Sequence, residues 1–228
     1  MTKRILIILA VILTVLILIE IMSLLRLGSS LAGYARFWKQ RSALQGEFVY
    51  VALGDSTAQS IGASEPLHGY VGILAKKIET KIGKKVRIVN LSVSGATVQD
   101  LIDKQLPELK NYQPDLITVG IGANDVARNN MDDFPAHYDS LAKSLPKNTF
   151  VTNMPYFGGR LRRNAEAIKA SEIIKSDAER YQLKLVNLQD PLRAQNSILN
   201  YASDLFHPSN RAYRIWADAF WQKIEPTL

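Results

Sequence analysis

Phe48-Val49-Tyr50-Val51-Ala52-Leu53-Gly54-Asp55-Ser56 is an apolar, largely β-branched and aromatic run that stops at a glycine, a carboxylate and a hydroxyl. A short run of this kind reads as a strand buried on both faces. The pattern recurs. Residues 86–91 lead into Ser92–Gly95, and residues 116–121 lead into Gly122-Ala123-Asn124-Asp125. Two further short strands are expected at 149–152 and 183–188. Helical patterns fill the gaps at 70–82, 98–110, 134–145 and 161–180. A last helix follows Pro208, with Ala212, Ile215, Trp216, Ala219 and Phe220 at helical spacing. Five strands alternating with helices imply an α/β fold with a parallel sheet covered on both faces. Such sheets place their sites at the carboxyl ends of the strands, so three polar islands converge on one edge.

Each island has a plain structural reading as well as a chemical one. Ser56 follows a strand at a tight glycine exit, where free backbone amides can face a developing anion; an Asp-Ser helix cap would look the same. The Gly-x-Ser-x-Gly elbow is absent, because the residues run Gly54-Asp55-Ser56-Thr57-Ala58. Gly95 is a loop glycine whose amide can approach a ligand, or a turn glycine. Asn124 can aim its side-chain amide into the site as an oxyanion donor, with Asp125 bracing the loop, or the pair can mark a turn. Near the end, Asp204-Leu205-Phe206-His207-Pro208 sets a carboxylate and an imidazole three residues apart ahead of a helix. Such a pair fixes the imidazole tautomer and leaves its other nitrogen free to take a proton. The other two histidines, His68 and His137, sit in polar contexts and read as surface residues.

Together the islands supply a nucleophile, a base with its orienting carboxylate, and oxyanion donors, the parts needed to hydrolyse an ester. Gly54-Asp55-Ser56, Gly95, Gly122-x-Asn124 and Asp204-x-x-His207 resemble the four sequence blocks of the SGNH, or GDSL, hydrolase family, over about residues 48–224. The resemblance implies Ser56 as nucleophile, His207 as base and Asp204 as its partner. It implies an oxyanion hole from the Ser56 amide, the Gly95 amide and the Asn124 side chain. It also implies a flavodoxin-like three-layer α/β/α fold, no metal and no cofactor. Thr57 stands where the namesake motif has leucine, a position that varies in the family. Asn153 to Gly159 follows the fourth strand and is expected to line the site. Arg160, Arg162 and Arg163 come next, either at a solvated helix start or facing an anionic group.

The N-terminus is of another kind. Residues 5–25 are almost wholly apolar and, as a helix, would span about 31 Å, the thickness of bilayer hydrocarbon. A single-pass anchor is the leading reading, with residues 1–27 as anchor, 28–46 as juxtamembrane linker and 47–228 as catalytic domain. The linker can be helical around 34–41, and its Tyr34, Phe37 and Trp38 suit either the headgroup layer or a cap on the domain. A cleaved signal peptide, with Ser30-Leu31-Ala32 as cleavage site, and a buried helix are the rivals. Lys3 and Arg4 before the apolar run favour an extracytoplasmic domain, although Arg26, Arg36, Lys39 and Arg41 count the other way.

The net charge of +7 points to nucleic acid until it is located. Residues 1–41 hold six basic residues and one acid, and the rest holds 22 basic and 20 acidic residues, which removes that reading. The absence of cysteine excludes disulfides, thiolate metal sites and a cysteine nucleophile. Asn90-Leu91-Ser92 forms a glycosylation sequon at the end of a buried strand, where it is expected to go unused. The expected substrate is an acyl ester of a lipid, a lysophospholipid or a small alcohol, with acetyl esters on cell-envelope glycans as the alternative. A catalytically silent ligand-binding member of the fold and a nucleotide binder are the rivals from other classes. The latter is disfavoured by a single glycine and a carboxylate after the first strand.

Overall fold

In the computed structural model, which describes residues 2–159 and 161–228, strand β1 (Phe48–Gly54) is an inner strand, second from one edge, of a five-stranded parallel sheet. β2 (Val86–Asn90) pairs on one side of it and β3 (Leu116–Gly120) on the other. β4 (Phe150–Thr152) and β5 (Lys184–Val186) extend the sheet beyond β3. The order β2-β1-β3-β4-β5 is the flavodoxin-like order, and it reverses direction at β1 and β3. A cleft opens at that switch point above the carboxyl ends of the strands, where the β1 and β3 loops diverge.

Alternation along β1 divides the core into two layers. Tyr50 and Ala52 face one layer, built on α2 (Tyr70–Ile82) and the last helix, α9 (Asn210–Ile224). Val51 and Leu53 face the other. That layer uses α3 (Val98–Asp100), α4 (Leu106–Leu109), α6 (Phe134–Ser144) and α7 (Asn164–Arg180). A π turn over Leu101–Gln105 joins α3 to α4, so the single helix expected at 98–110 is wound in two registers. Two short helices fall where loops were expected: α5 (Ala123–Arg128) and α8 (Gln189–Ala194).

The first helix, α1 (Thr2–Ser42), has mean hydropathy 3.2 over its most apolar stretch and is long and apolar enough to cross a membrane. Residues 28–42, read from the sequence as a linker, continue α1 without a break. Half-buried positions recur along it at Ser23, Leu27, Ser30, Tyr34, Phe37 and Arg41, a stripe with alternating steps of four and three that lies against the domain. Trp38, within that stripe, is buried in the α2/α9 layer. Composition changes at residue 27, but the packing stripe runs straight through that change.

Candidate active site

Ser56 is delivered by the end of β1, and glycine makes the exit possible. Gly54 pairs with Gly120 of β3, and its φ of +146° is open to glycine alone. A Cβ there would stand 2.3 Å from the Gly120 carbonyl oxygen. The backbone of Gly54 is further held by a side chain. Gln105, at the end of the π turn, accepts the Gly54 N–H at 2.9 Å and donates to the Gly54 oxygen at 2.8 Å. A π turn shifts a side chain out of the ordinary helical register, which brings this amide to the strand end.

Asp204 and His207 arrive on a tight loop closed by an isolated bridge between Tyr201 and Pro208. The loop presses on Gly62, where a Cβ would lie 2.4 Å from the Pro208 oxygen, so only a glycine lets His207 reach Ser56. His207 Nε2 is 3.0 Å from Ser56 Oγ, and its Nδ1 is 2.6 Å from Asp204 Oδ2. The other carboxylate oxygen, Oδ1, accepts the backbone N–H groups of Phe206 and His207, each at 3.0 Å. With the Nδ1 proton directed to Asp204, Nε2 is left to accept the Ser56 hydroxyl proton. Burial works against the Asp204 charge, but the His207 hydrogen bond and charge and the two N–H donors outweigh it, bringing this carboxyl to about 2. Its contribution to stability is therefore complete above the usual carboxylate range and is lost as pH falls through about 2.

Gly95 and Asn124 come to the same place. Asn124 Nδ2 donates to the Ala96 oxygen at 3.0 Å and lies 3.5 Å from Asp55 Oδ2, so it bridges the loops that carry Gly95 and Ser56. Asn124 belongs to the first turn of α5, rather than to the simple Asn-Asp turn that was the alternative reading. The loop before Gly95 is clamped by Gln59, whose side chain donates to the Ser92 oxygen at 2.7 Å and accepts from Ser94 Oγ at 2.6 Å. Thr57, the departure from the leucine of the motif, donates both its N–H and its hydroxyl to Asp55 Oδ1 at 2.8 Å. Burial pushes the Asp55 carboxyl up, and those two bonds oppose it. Sequence reading missed Gln59, Gln105 and the use of Thr57, because a buried glutamine inside a helical or loop pattern looks like any solvated one.

Pro155, Tyr156 and Phe157 line a cavity of about 40 Å³ beside Ser56, with Leu205, Phe206 and Trp216 among its other walls. The stretch after β4 thus borders the site as expected. Arg160 lies outside the described residues; Arg163 donates to Asn129 Oδ1 at 2.9 Å, and Arg162 is exposed. His68 is exposed beside Ser64 and His137 is half-buried away from Ser56, the surface positions expected of them. The sequon is engaged elsewhere: Asn90 Nδ2 donates to the Ala58 oxygen at 2.7 Å in the buried interior.

Asp125 accepts the Val98 N–H at 3.1 Å and so ties α5 to the start of α3. Burial raises its carboxyl to about 6; the Val98 bond opposes the rise and the nearby Asp55 charge adds to it. The folded protein then keeps this proton up to about pH 6, whereas the unfolded chain releases it near roughly 3.9. Stability from this group is greatest below the lower value and declines as pH rises to the upper one. Asp125→Asn keeps an acceptor for Val98 and has no charge to bury. Urea unfolding of both proteins from pH 4 to 7 should show the variant gaining on the wild type by roughly 2 kcal/mol. A difference that stays constant with pH would show that Asp125 does not carry this shift.

A doubly wound parallel sheet with a hydroxyl, an imidazole and a carboxylate in line at its carboxyl edge is an arrangement suited to ester hydrolysis. The chain belongs to the GDSL-like Lipase/Acylhydrolase family, whose model matches residues 52–215. It is a carboxylic ester hydrolase, and the curated proteins it resembles carry names to match. It is 29% identical over 132 residues to a multidomain esterase of Ruminococcus flavefaciens, covering 53% of this chain but only 17% of that protein. It is 28% identical over 179 residues to an acetylxylan esterase of Geobacillus stearothermophilus, covering 68% of this chain and 78% of that one. Among solved structures, the acetylxylan esterase Axe2 from Geobacillus stearothermophilus superposes with a TM-score of 0.65 at 23% identity, over 78% of this chain and 94% of that one. LAE5, an alpha/beta hydrolase enzyme from the metagenome of Lake Arreo, gives 0.64 at 23% identity, over 80% and 97%.

Proposed function

We propose that this chain is a membrane-anchored serine esterase acting on short acyl esters, with Ser56 as nucleophile, His207 as general base and Asp204 as the group that orients it. The observation that carries the reading is the unbroken line from Ser56 Oγ through His207 to Asp204, at 3.0 and 2.6 Å. Ser56 Oγ attacks the ester carbonyl and its proton passes to His207 Nε2. The oxyanion that forms is met by the Ser56 and Gly95 N–H groups and the Asn124 side-chain amide. Collapse of the tetrahedral intermediate breaks the bond to the alcohol, which leaves with the proton from His207. Water, deprotonated by the same imidazole, then attacks the acyl-enzyme and releases the acid and Ser56. The chemistry needs no cofactor or metal.

The acyl preference follows from the cavity. About 40 Å³ beside Ser56 holds roughly three water-sized groups, room for an acetyl to butyryl chain. That favours short acyl groups over the long chains of lysophospholipids, and it agrees with the acetylxylan esterase name of one relative. α1 serves as a single-pass anchor that leaves the domain on the extracytoplasmic side, the reading favoured by Lys3 and Arg4 ahead of the apolar run.

The test is hydrolysis of p-nitrophenyl esters from acetate to palmitate by the purified full chain in detergent. Turnover should peak between two and four carbons and fall on the order of tenfold by eight. A profile that stays level or rises toward palmitate would sink the short-acyl reading. A folded protein that hydrolyses none of them, and takes no label from a serine-directed phosphonate, would make the chain a ligand-binding member of the fold.

A further inference from the structure

We infer that the active-site mouth faces the bilayer that holds α1, so that the enzyme takes its ester from an amphiphile resident at that membrane surface. This rests on α1 crossing a bilayer and on ester hydrolysis at Ser56.

Polar contacts along α1 fix the orientation. Reading outward from the apolar stretch, Ser23 hydroxyl-bonds Ser203, the residue before Asp204. Arg26 donates to the Ser64 oxygen at 2.9 Å, and Tyr34 donates to the Ala63 oxygen at 2.9 Å. Trp38 donates to the Gln59 oxygen at 3.0 Å. At the far end Ser42 accepts from Arg87 at 3.2 Å and from the Asn90 N–H at 3.1 Å. From Ser23 to Ser42 the helix rises about 28 Å. The catalytic loop therefore docks at the lowest rung, level with the end of the apolar stretch at Leu25, and β2 docks at the highest. Asn90 ends β2, and only beyond α1 does the chain reach the start of that strand, where the Glu47 N–H donates to the Lys85 oxygen at 2.9 Å. The carboxyl edge of the sheet, where Ser56 sits, is therefore turned toward the bilayer and the amino edge away from it.

The face brought to that level is suited to lipid. Ile198 and Leu199, on a 3₁₀ turn just ahead of the catalytic loop, are 65% and 66% exposed, and Leu205 within the loop is 40% exposed. Large apolar side chains so exposed would be poorly placed in water but are suited to the headgroup–acyl boundary beside an apolar helix. Leu205 and Tyr201 also border the cavity beside Ser56. An ester whose alcohol portion remains in the leaflet would present its short acyl group to that cavity without leaving the membrane surface. The bilayer is continuous with the apolar length of α1, which is why it is the occupant of this face.

Because the chain has no cysteine, a single introduced thiol reports one place without background. The full chain with Leu199→Cys, and separately with Lys147→Cys at the amino edge of the sheet, is labelled with a nitrobenzoxadiazole dye. Each is reconstituted into phosphatidylcholine–phosphatidylglycerol vesicles carrying a shallow nitroxide lipid. The Leu199→Cys label should be quenched several-fold more than the Lys147→Cys label. Equal quenching, or none at position 199, overturns the inference. Vesicle flotation and turnover of soluble p-nitrophenyl acetate on the same samples separate the premises. Protein that does not float overturns the membrane-facing mouth while leaving esterase activity standing. Protein that floats and is quenched but does not hydrolyse the soluble ester overturns the assignment of the substrate and leaves the orientation. Ile198→Asp with Leu199→Asp should cut hydrolysis of a vesicle-borne acetyl ester on the order of tenfold and leave p-nitrophenyl acetate turnover unchanged. Equal loss on both substrates would also count against it.

Discussion

Ser56→Ala should lower ester turnover by about 10⁴-fold or more while leaving the protein folded. The reason lies in what each atom of Ser56 touches. Its hydroxyl reaches only His207 Nε2 among the described residues, at 3.0 Å, so removing it breaks one hydrogen bond at the edge of the site. The fold around it is set by other groups: the Gly54 pairing with Gly120, the Gln105 amide and the Asp55–Thr57 bonds. The unfolding midpoint in urea should therefore shift by no more than about 1 kcal/mol in free energy. His207→Ala should lose a similar factor, and the double variant should be no worse than either single one, because the two side chains act as one unit. The Ser56 and Gly95 N–H groups, proposed above as oxyanion donors, persist in all three variants, so residual turnover above the uncatalysed rate should persist too. Additive losses would mean that Ser56 and His207 do not share a proton-transfer step. Full activity in Ser56→Ala would remove Ser56 as nucleophile.

The strands were readable because both faces of the sheet are covered. When Tyr50 and Ala52 go to one layer and Val51 and Leu53 to the other, every position must be apolar, and the run stands out from its surroundings. The Ser56–His207–Asp204 line was readable for a related reason: polar groups that meet at one sheet edge sit at strand or loop ends, where short polar clusters interrupt apolar runs. What was not readable depends on geometry that leaves composition unchanged. Gly122-Ala123-Asn124-Asp125 looks like a turn, yet Asn124 and Asp125 open a short helix, because the Gly122 φ of +105° redirects the chain before it winds. Gln105 looks like a solvated helix residue until a π turn rotates it inward onto Gly54. The docked half of α1 was read as a linker, with a helix only around 34–41 and its aromatics left open between headgroup layer and domain, because the apolar run ends near residue 27. Its packing stripe is carried by Ser30, Tyr34 and Arg41, which no apolar count would pick out.

Trp38→Ala should be the most damaging substitution in α1, and it tests whether that helix is part of the folded domain. Trp38 is 1% exposed within the α2/α9 layer, so truncating it leaves a large cavity, at a cost of about 3–5 kcal/mol. The lost Nε1–H donor also leaves the Gln59 oxygen without its partner, adding about 1–3 kcal/mol. Against a total stability of roughly 5–15 kcal/mol, the two together threaten the fold. The effect also reaches the chemistry, because the Gln59 side chain holds Ser92 and Ser94 just ahead of Gly95. Trp38→Phe refills much of the space but restores no donor, so it should recover most of the urea stability while leaving kcat reduced. Deleting residues 1–42 removes Trp38 together with Tyr34 and Phe37, and should destabilise the domain at least as much as Trp38→Ala. A domain starting at residue 43 that unfolds at the same urea concentration as the full chain would show that α1 merely tethers it. Loss of stability would mean that α1 completes the core beneath the loop that carries Gly95.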